Sequence, residues 1–209
     1  MNTIMECLVR FAGCNRYMAH SKIDDALRQF PRNGQRHWYH SLVQSGPDAF
    51  SGVIRTSSKE VTAAITKAKW KELELPAPGQ ACQGVIEIAP KKIGQYSAFR
   101  RKDFALEFAT KRLAESGAFT DLQVQHLSHS AFVVQKPGNS YSGPTAWFEV
   151  RGTVKDVQAL AHLVTQGVGG SHAFGIGLLN LSTSALYQIA HAVALAHQET
   201  ERPTLQFLN

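Results

Sequence analysis

The chain has 209 residues, enough for one large domain or two domains of about 100 residues each. Hydrophobic residues make up 44% of it, so it can form a buried core, and it has no run of about 20 apolar residues, so no transmembrane helix is expected. Its net charge of +6 favours a polyanionic partner.

The three cysteines, Cys7, Cys14 and Cys82, are odd in number and lack Cys-x-x-Cys spacing. This pattern argues against a disulfide framework and against a zinc site. The N-terminus has no basic leader followed by an apolar segment, so no secretory signal is expected. We therefore expect three thiols in the reducing cytoplasm and no bound metal.

The first part of the chain alternates between strand-like and helix-like segments. Apolar residues at helical spacing predict a helix over residues 19–29, which Pro31 and Gly34 end. The other segments, in chain order, are the strand "IMECLVRF" (4–11), the strands "QRHWYHSLVQ" and "FSGVIRT", the short helix "SSKEVTAAITKAK" and the strand "WKELEL". "PAPGQ" (76–80) has the composition of a linker.

The second part repeats this order of elements. Its clearest helix is "KDFALEFATKRLAESG", which is amphipathic and ends at Gly117. The other elements, in order, are the strand "CQGVIEIAP", the strands "LQVQHLSHSAFVVQ" and "TAWFEVRGTV" around the turn-rich "KPGNSYSGP", the helix "DVQALAHLVTQG" and the strand "AFGIGLLNL". His126 and His129, three apart on a strand, are expected to face opposite sides and not to share a metal.

Each half thus has the order β-α-β-β-α-β. This order predicts an α+β protein made of tandem ferredoxin-like (RRM-like) βαββαβ domains with a C-terminal helical tail. We place the domains at residues 1–76 and 81–181 and the tail at 182–209. The tail has an apolar face, which we expect to pack on the body of the protein or on another subunit.

Two clusters combine basic and aromatic residues, a composition suited to phosphate pairing and base stacking. The alternatives are a solvated loop for the first cluster and an ordinary strand start for the second. The basic members are Lys91, Lys92, Arg100, Arg101 and Lys102 in the first cluster, and Arg32, Arg36, His37 and His40 in the second.

The segment "GVGGSHAFGIG" (167–177) is rich in glycine and has two interpretations, an RNA-contacting loop or a tight connection. It follows the C-terminus of a predicted helix, which is the wrong dipole end for an anion, and it lacks Gly-Lys-Ser/Thr, so a nucleotide site is disfavoured. Its glycines can bring backbone N–H groups close to RNA or let the loop pack on the first half. The candidate RNA-contacting residues are Gly167, Gly169, Gly170, Ser171, His172, Phe174 and Gly175.

Three segments resemble the CRISPR repeat-processing endoribonucleases, closest to the CasE type of type I-E systems, with type IV relatives also similar. They are "YMAHSKIDDALRQFPRNGQRHWYH", "WFEVRGTV" and "LAHLVTQGVGGSHAFGIGLLNL". The resemblance implies an RNase that needs no metal or other cofactor, binds the stem-loop of a CRISPR repeat and cuts at its 3′ base. The ribose 2′-OH attacks the adjacent phosphate, leaving a 2′,3′-cyclic phosphate. Such proteins stay on the hairpin as a subunit of a multi-protein guide-RNA complex, with no membrane partner.

Tyr17 and His20 match the family's Tyr-x-x-His motif. The resemblance implies that His20 is the general acid or base and that Tyr17 positions the ribose or phosphate. Lys22 and Arg16 are near enough in sequence to supply positive charge to the phosphorane, and Arg16 is also a candidate RNA contact. The alternative for His20 is a solvent-exposed histidine at a helix N-terminus.

Two other functions stay open from the sequence. One is an RNA-hairpin-binding subunit without nuclease activity. The other is an interaction protein whose helical tail docks on a partner.

Overall fold

The computed structural model describes residues 3–30, 37–136, 138–171 and 174–201. Arg32, Arg36 and His172, and the helix-ending Pro31 and Gly34, lie outside the described residues. No helix in the described ranges is long and apolar enough to cross a membrane.

The first half forms an antiparallel sheet with the strand order β2-β3-β1-β4. Its strands are β1 (Met5–Ala12), β2 (Tyr39–Gly46), β3 (Ala49–Thr56) and β4 (Lys71–Glu72). The described residues of this half also form the helices α1 (Arg16–Ala26) and α2 (Lys59–Ala64).

The second half repeats the arrangement with the order β6-β7-β5-β8. Its strands are β5 (Ala81–Ile88), β6 (Phe119–Lys136), β7 (Asn139–Val154) and β8 (Asn180–Leu181). The helices are α3 (Tyr96–Phe99), α4 (Lys102–Glu115), α5 (Val157–Thr165) and the tail helix α6 (Tyr187–Glu201). Because both sheets place the equivalent strands in the same order, the predicted tandem ferredoxin-like α+β fold is confirmed.

Three local predictions need correction. The first helix begins at Arg16 rather than residue 19, because the Asn15 side chain accepts a hydrogen bond from the Met18 N–H (2.9 Å) and caps it. The segment "KPGNSYSGP" is mostly strand, because residues 139–144 pair with 131–136 in a long β6–β7 hairpin. The predicted last strand is reduced to Asn180–Leu181, since Gly175 and Gly177 have φ values of 74° and 94° that a strand does not accommodate.

The tail helix α6 packs between the two sheets. Its buried residues Tyr187, Ala190 and Ala194, with Leu186 just before the helix, lie in one apolar cluster with Val43 and Val53 of the first sheet and Val85, Leu127 and Trp147 of the second. The tail therefore packs on the body of the protein, which is one of the two alternatives predicted for it.

Arg55 of β3 joins the two halves through a fully buried network. Its guanidinium pairs with Glu6 (3.1 Å) and donates to the carbonyl oxygens of Val164 at the end of α5 (2.7 Å) and Leu179 before β8 (2.9 Å). It also donates to Asn180 and Ser184. The network fixes the first sheet against the elements that follow α5.

Candidate functional site

His20 lies on the buried face of α1, where the first half meets the glycine-rich segment of the second. The residue is 8% exposed, and its Nε2 lies 3.1 Å from Oδ2 of Asp24 one turn later. Its ring stacks on that of His40 from β2 (centroids 5.2 Å apart) and meets the Phe174 ring edge to face (5.7 Å). The alternative of a solvent-exposed histidine at a helix N-terminus is therefore wrong.

The sequence did not single out Asp24, and it did not indicate that His40 contacts His20; the reasons differ. Asp24 stands four residues after His20 on the same helix, and this i,i+4 spacing is a signal that predicts the contact. His40 reaches His20 only through the packing of β2 against α1, for which the sequence carries no local signal.

The other predicted reaction-site residues, Tyr17 and Lys22, lie on different sides of α1. Tyr17, one turn before His20, is half-buried against an apolar cluster that contains Phe132 and Phe174. Lys22 is exposed and stands two positions after His20, a spacing at which helical residues do not face each other. The structure thus places Tyr17 and His20 on a common face and leaves Lys22 outside it.

Arg16 is only 5% exposed and is used inside the protein. Its guanidinium pairs with the buried Glu87 of β5 (3.2 Å) and lies 3.4 Å from the Phe174 carbonyl oxygen. Glu87 also accepts a hydrogen bond from Thr145 (2.8 Å). This burial does not fit the predicted RNA contact, because both charged groups are already paired away from solvent; Arg16 instead holds α1 to β5.

The glycines of residues 167–177 are needed for close backbone packing. A Cβ atom on Gly167 would lie 2.1 Å from the Gly177 oxygen, and one on Gly169, whose φ is 88°, would lie 2.7 Å from the Ala89 oxygen. Gly175 approaches the first half, since its oxygen accepts a hydrogen bond from the Leu42 N–H (3.1 Å). These contacts favour the tight-connection interpretation for the three glycines.

Gly170, in the same segment, lies beside the basic residues after β5. The N–H of Gly170 donates to the Ala89 oxygen (2.8 Å), and a Cβ on Gly170 would lie 3.2 Å from the Lys91 Cα. Ser171 is half-buried with a φ of 61°. The structure therefore brings the segment to the exposed Lys91 and Lys92.

The second basic group lies at the N-terminus of α4. Arg100, Arg101 and Lys102 are all exposed there. Arg100 also lines a cavity of about 590 Å³ with Tyr96 of α3, His129 of β6 and residues 142–144 of β7. His37, at the entry to β2, is exposed as well.

The prediction that His126 and His129 face opposite sides is wrong. Their ring centroids are 4.4 Å apart, because a register shift between His126 and Ser128 makes Leu127 an extra residue on β6 and reverses the alternation. Burial lowers the pKa of His126 to about 4, with His129 and Lys102 adding to the effect.

The cysteines are buried free thiols. Burial raises the pKa of Cys7 and of Cys82 to about 11, which disfavours the reactive thiolate. In the part of the chain that the structure describes, no three or more His, Cys, Asp or Glu side chains come together as a metal site.

A protein-family model matches more than half of the chain. Residues 59–182 match the model of the family described as CRISPR associated protein. No curated protein matches the chain.

Solved structures share the fold over most of the chain. Cse3 of Thermus thermophilus, bound to an RNA representing a pre-cleavage complex, is 20% identical with a TM-score of 0.65 and covers 87% of this chain and 100% of its own. Cas6e of Escherichia coli str. K-12 is 19% identical with a TM-score of 0.57, over 85% of this chain and 98% of its own. A chain of a CRISPR RNA-guided surveillance complex is 18% identical with a TM-score of 0.56, over 83% and 97%.

Proposed function

The chain belongs to the CRISPR associated protein family, and on this premise we propose that it is an endoribonuclease that binds and processes CRISPR repeat RNA. The observation that carries the proposal is the position of His20. Its imidazole lies on α1 directly against Phe174 of the glycine-rich segment, where the two ferredoxin-like halves meet. The shared fold with Cse3 bound to a pre-cleavage RNA supports it.

The proposed reaction is a metal-independent transesterification at the 3′ base of the repeat hairpin. The ribose 2′ oxygen attacks the adjacent phosphorus, the bond from phosphorus to the 5′ oxygen breaks, and a 2′,3′-cyclic phosphate and a 5′-hydroxyl result. One proton leaves the 2′-hydroxyl and one reaches the 5′ oxygen; His20 transfers one of them and water the other. Acid–base help of this kind contributes about 10²- to 10⁴-fold in rate.

The groups around His20 take supporting roles. Tyr17, on the same face of α1, positions the ribose or phosphate. Lys22 faces solvent, so we assign it to a phosphate further along the RNA rather than to the reacting group. Phe174 covers the edge of the imidazole, so RNA must displace its ring to reach His20.

The exposed basic residues form the proposed hairpin-binding surface. An RNA stem is recognised mainly through its phosphates and its shape, and exposed cations are suited to pair with phosphates. The members of this surface are Lys91, Lys92, Arg100, Arg101, Lys102 and His37, with Arg32 and Arg36 beside His37 in sequence.

The organisation of the chain and of its assembly is part of the proposal. We assign residues 1–76 and 81–181 to the two RNA-binding domains and 182–209 to the tail. We also propose that the protein stays on the cleaved hairpin as a subunit of a multi-protein guide-RNA complex. The shared fold with a chain of a surveillance complex supports this assignment.

One observation favours a second candidate function, an RNA-hairpin-binding subunit that does not cut. His20 is 8% exposed and already contacts Asp24, so its ring is not open to solvent as a nuclease residue in a free cleft is. The two functions predict the same binding and differ in cleavage.

The test is cleavage of the labelled host repeat RNA in EDTA by wild type, by His20→Ala and by a control, His162→Ala, which alters an exposed histidine on α5. We expect cutting at the hairpin base by wild type and control, and none by His20→Ala. A substrate with a single 2′-deoxy sugar at the cut must resist cleavage. Tight binding without cutting by wild type supports the non-catalytic alternative, and cutting by His20→Ala at the wild-type rate refutes the assignment of His20.

A further inference from the structure

Asp24 is the carboxylate nearest to the proposed reacting histidine. Its Oδ2 lies 3.1 Å from His20 Nε2, and its side chain is 33% exposed while that of His20 is 10% exposed. A hydrogen bond or ion pair between groups that are partly withdrawn from water is stronger than one on an open surface. The contact is therefore able to fix the orientation and the tautomer of the imidazole.

Two neighbouring aromatic rings also restrict the orientation of the imidazole. His40 stacks on one side of His20 with an interplanar angle of 20°, and Phe174 meets it at 79°. These two rings limit rotation of the imidazole, so the edge that carries Nε2 stays toward Asp24. A histidine held in this way keeps a defined tautomer, because the nitrogen that faces a carboxylate carries the hydrogen.

We infer that Asp24 is a positioning residue for His20: it holds the hydrogen of neutral His20 on Nε2, so that Nδ1, which is buried in the free protein, exchanges the proton with RNA once RNA has displaced Phe174. This inference rests on the proposed function. When His20 takes up the 2′-hydroxyl proton and becomes imidazolium, the Asp24 carboxylate stabilises the positive charge. Serine hydrolases also orient a histidine with a carboxylate, but there the carboxylate holds Nδ1–H and Nε2 exchanges the proton.

Other ionisable groups also lie around this site. Arg16 and Tyr17 precede His20 by one turn of α1, His40 faces it from β2, and Glu87 of β5 pairs with Arg16. Arg16 and Glu87 neutralise each other, so Asp24 is the carboxylate that bears directly on the imidazole. Removing its charge lowers the pH at which His20 gains a proton.

The chain offers a matched control in the neighbouring residue. Asp25 carries the same charge on the same helix but is 64% exposed and pairs with Arg28 on the surface. Asp24→Asn and Asp25→Asn therefore change the net charge equally, and only the first changes the contact with His20. Asp24→Glu keeps a carboxylate within reach of the ring.

The first experiment is single-turnover cleavage of labelled repeat hairpin across pH 5 to 9, with hairpin Kd and Tm measured for each variant. We expect Asp24→Asn to slow cleavage about 10- to 100-fold with Kd within about twofold of wild type. The limb of the pH–rate profile that His20 controls should move to lower pH. Asp24→Glu should recover most of the rate, and Asp25→Asn should match wild type.

The second experiment uses the free protein and needs no cleavage. Long-range ¹⁵N–¹H NMR of the imidazoles, with the His20 signals assigned by their loss in His20→Ala, reports the tautomer directly. We expect the Nε2–H form in wild type and in Asp25→Asn, and loss of that preference in Asp24→Asn.

The outcomes separate the two proposals. Wild type that binds but does not cut refutes the proposed nuclease, while the NMR result still decides whether Asp24 holds the tautomer. Wild type that cuts, with Asp24→Asn equal to it in rate and pH profile, overturns the role of Asp24 alone. A slower Asp24→Asn whose pH limb does not move, with an unchanged His20 tautomer, also overturns it, since a structural defect explains that result.

Discussion

The imidazole of His126 lies 4.4 Å, centroid to centroid, from that of His129, although a regular strand would place the two residues on opposite faces. The bulge at Leu127 brings both to the side of β6 that faces α3, where His129 Nε2 lies 3.2 Å from the Phe99 oxygen. His126 is 9% exposed, and its Nε2 is buried with no hydrogen-bond partner among the described residues. The pair therefore puts a weakly basic imidazole beside the exposed cations of α4.

His126 should make folding stability depend on pH. Its pKa is lowered from 6.5 to about 4 by burial, so the unfolded chain takes up a proton between these values and the folded protein does not. The free energy of unfolding is therefore unaffected by the titration of His126 above pH 6.5. It falls by up to about 3 kcal/mol as the pH decreases from 6.5 toward 4. Urea unfolding at pH 7 and pH 4.5 measures this loss.

His126→Phe removes the titrating group and should lose less stability than wild type between those two pH values. His162→Phe, which changes an exposed histidine, is the control and should keep the wild-type pH dependence. An equal loss in wild type and His126→Phe would contradict the assignment.

The buried Arg55 network should be a major source of stability. Burial lowers the pKa of Arg55, and pairing with Glu6 opposes that effect. Arg55→Ala leaves the buried Glu6 carboxylate without its cationic partner and two buried carbonyl oxygens without this donor, so it should cost about 3 to 5 kcal/mol. Chemical denaturation measures the cost; if this variant does not fold, Arg55→Lys should fold with an intermediate loss, because it keeps the charge but not the five donors.

Arg28→Ala is the matched control for Arg55→Ala. It removes an arginine whose side chain is 80% exposed and which pairs with Asp25 on the surface. Its cost should be under about 1 kcal/mol. Similar costs for the two arginines would show that the buried network does not hold the halves together.

The close packing around Gly169 should make its replacement by alanine more destabilising than the replacement of Gly79. Gly169 and Gly79 have similar φ values, 88° and 84°, so alanine strains the backbone about equally at both. A Cβ at Gly79 meets nothing within 4 Å, whereas one at Gly169 meets the Ala89 oxygen at 2.7 Å. Thermal unfolding should therefore show Gly169→Ala to be less stable than Gly79→Ala by about 1 to 3 kcal/mol; equal Tm values would mean that the close packing is unimportant.

The exposed arginines before α4 should contribute to RNA affinity through phosphate contacts. Arg100→Ala combined with Arg101→Ala should weaken hairpin binding and reduce the slope of log K against log salt by about 1 to 2. Filter binding of the repeat hairpin over a range of salt concentrations measures both quantities. The cleavage rate of saturated complex should stay near the wild-type value.

Lys67→Ala combined with Lys69→Ala removes the same charge from another exposed position, in the loop before β4. This control should leave the slope close to wild type. Equal effects of the two pairs would indicate a general charge effect instead of a defined contact surface.

The elements that the sequence predicts well are those whose stabilising contacts are local. The helix α5 follows Asp156, whose side chain accepts hydrogen bonds from the N–H groups of Gln158 and Ala159, and its apolar residues recur at helical spacing. The sequence likewise predicted strands at β1, β3 and β5. The order of these elements was enough to predict the paired ferredoxin-like fold, and the Tyr-x-x-His motif was enough to single out His20.

What the sequence did not indicate depends on contacts between distant residues. Arg16 was expected to face RNA, but its partner Glu87 is 71 positions away and comes within 3.2 Å only when α1 packs against β5. The pairing of His126 with His129 depends on a bulge set by the register of β6 against β7.

Local hydrogen bonding and periodicity thus determine which residues form helices and strands, and both can be recognised from residues that are close in sequence. The burial of His20, the stacking of His40 on it and the Arg55 network arise from the way the two sheets and α6 pack together. That packing depends on surfaces to which residues from the whole chain contribute. A short stretch of sequence therefore does not predict it.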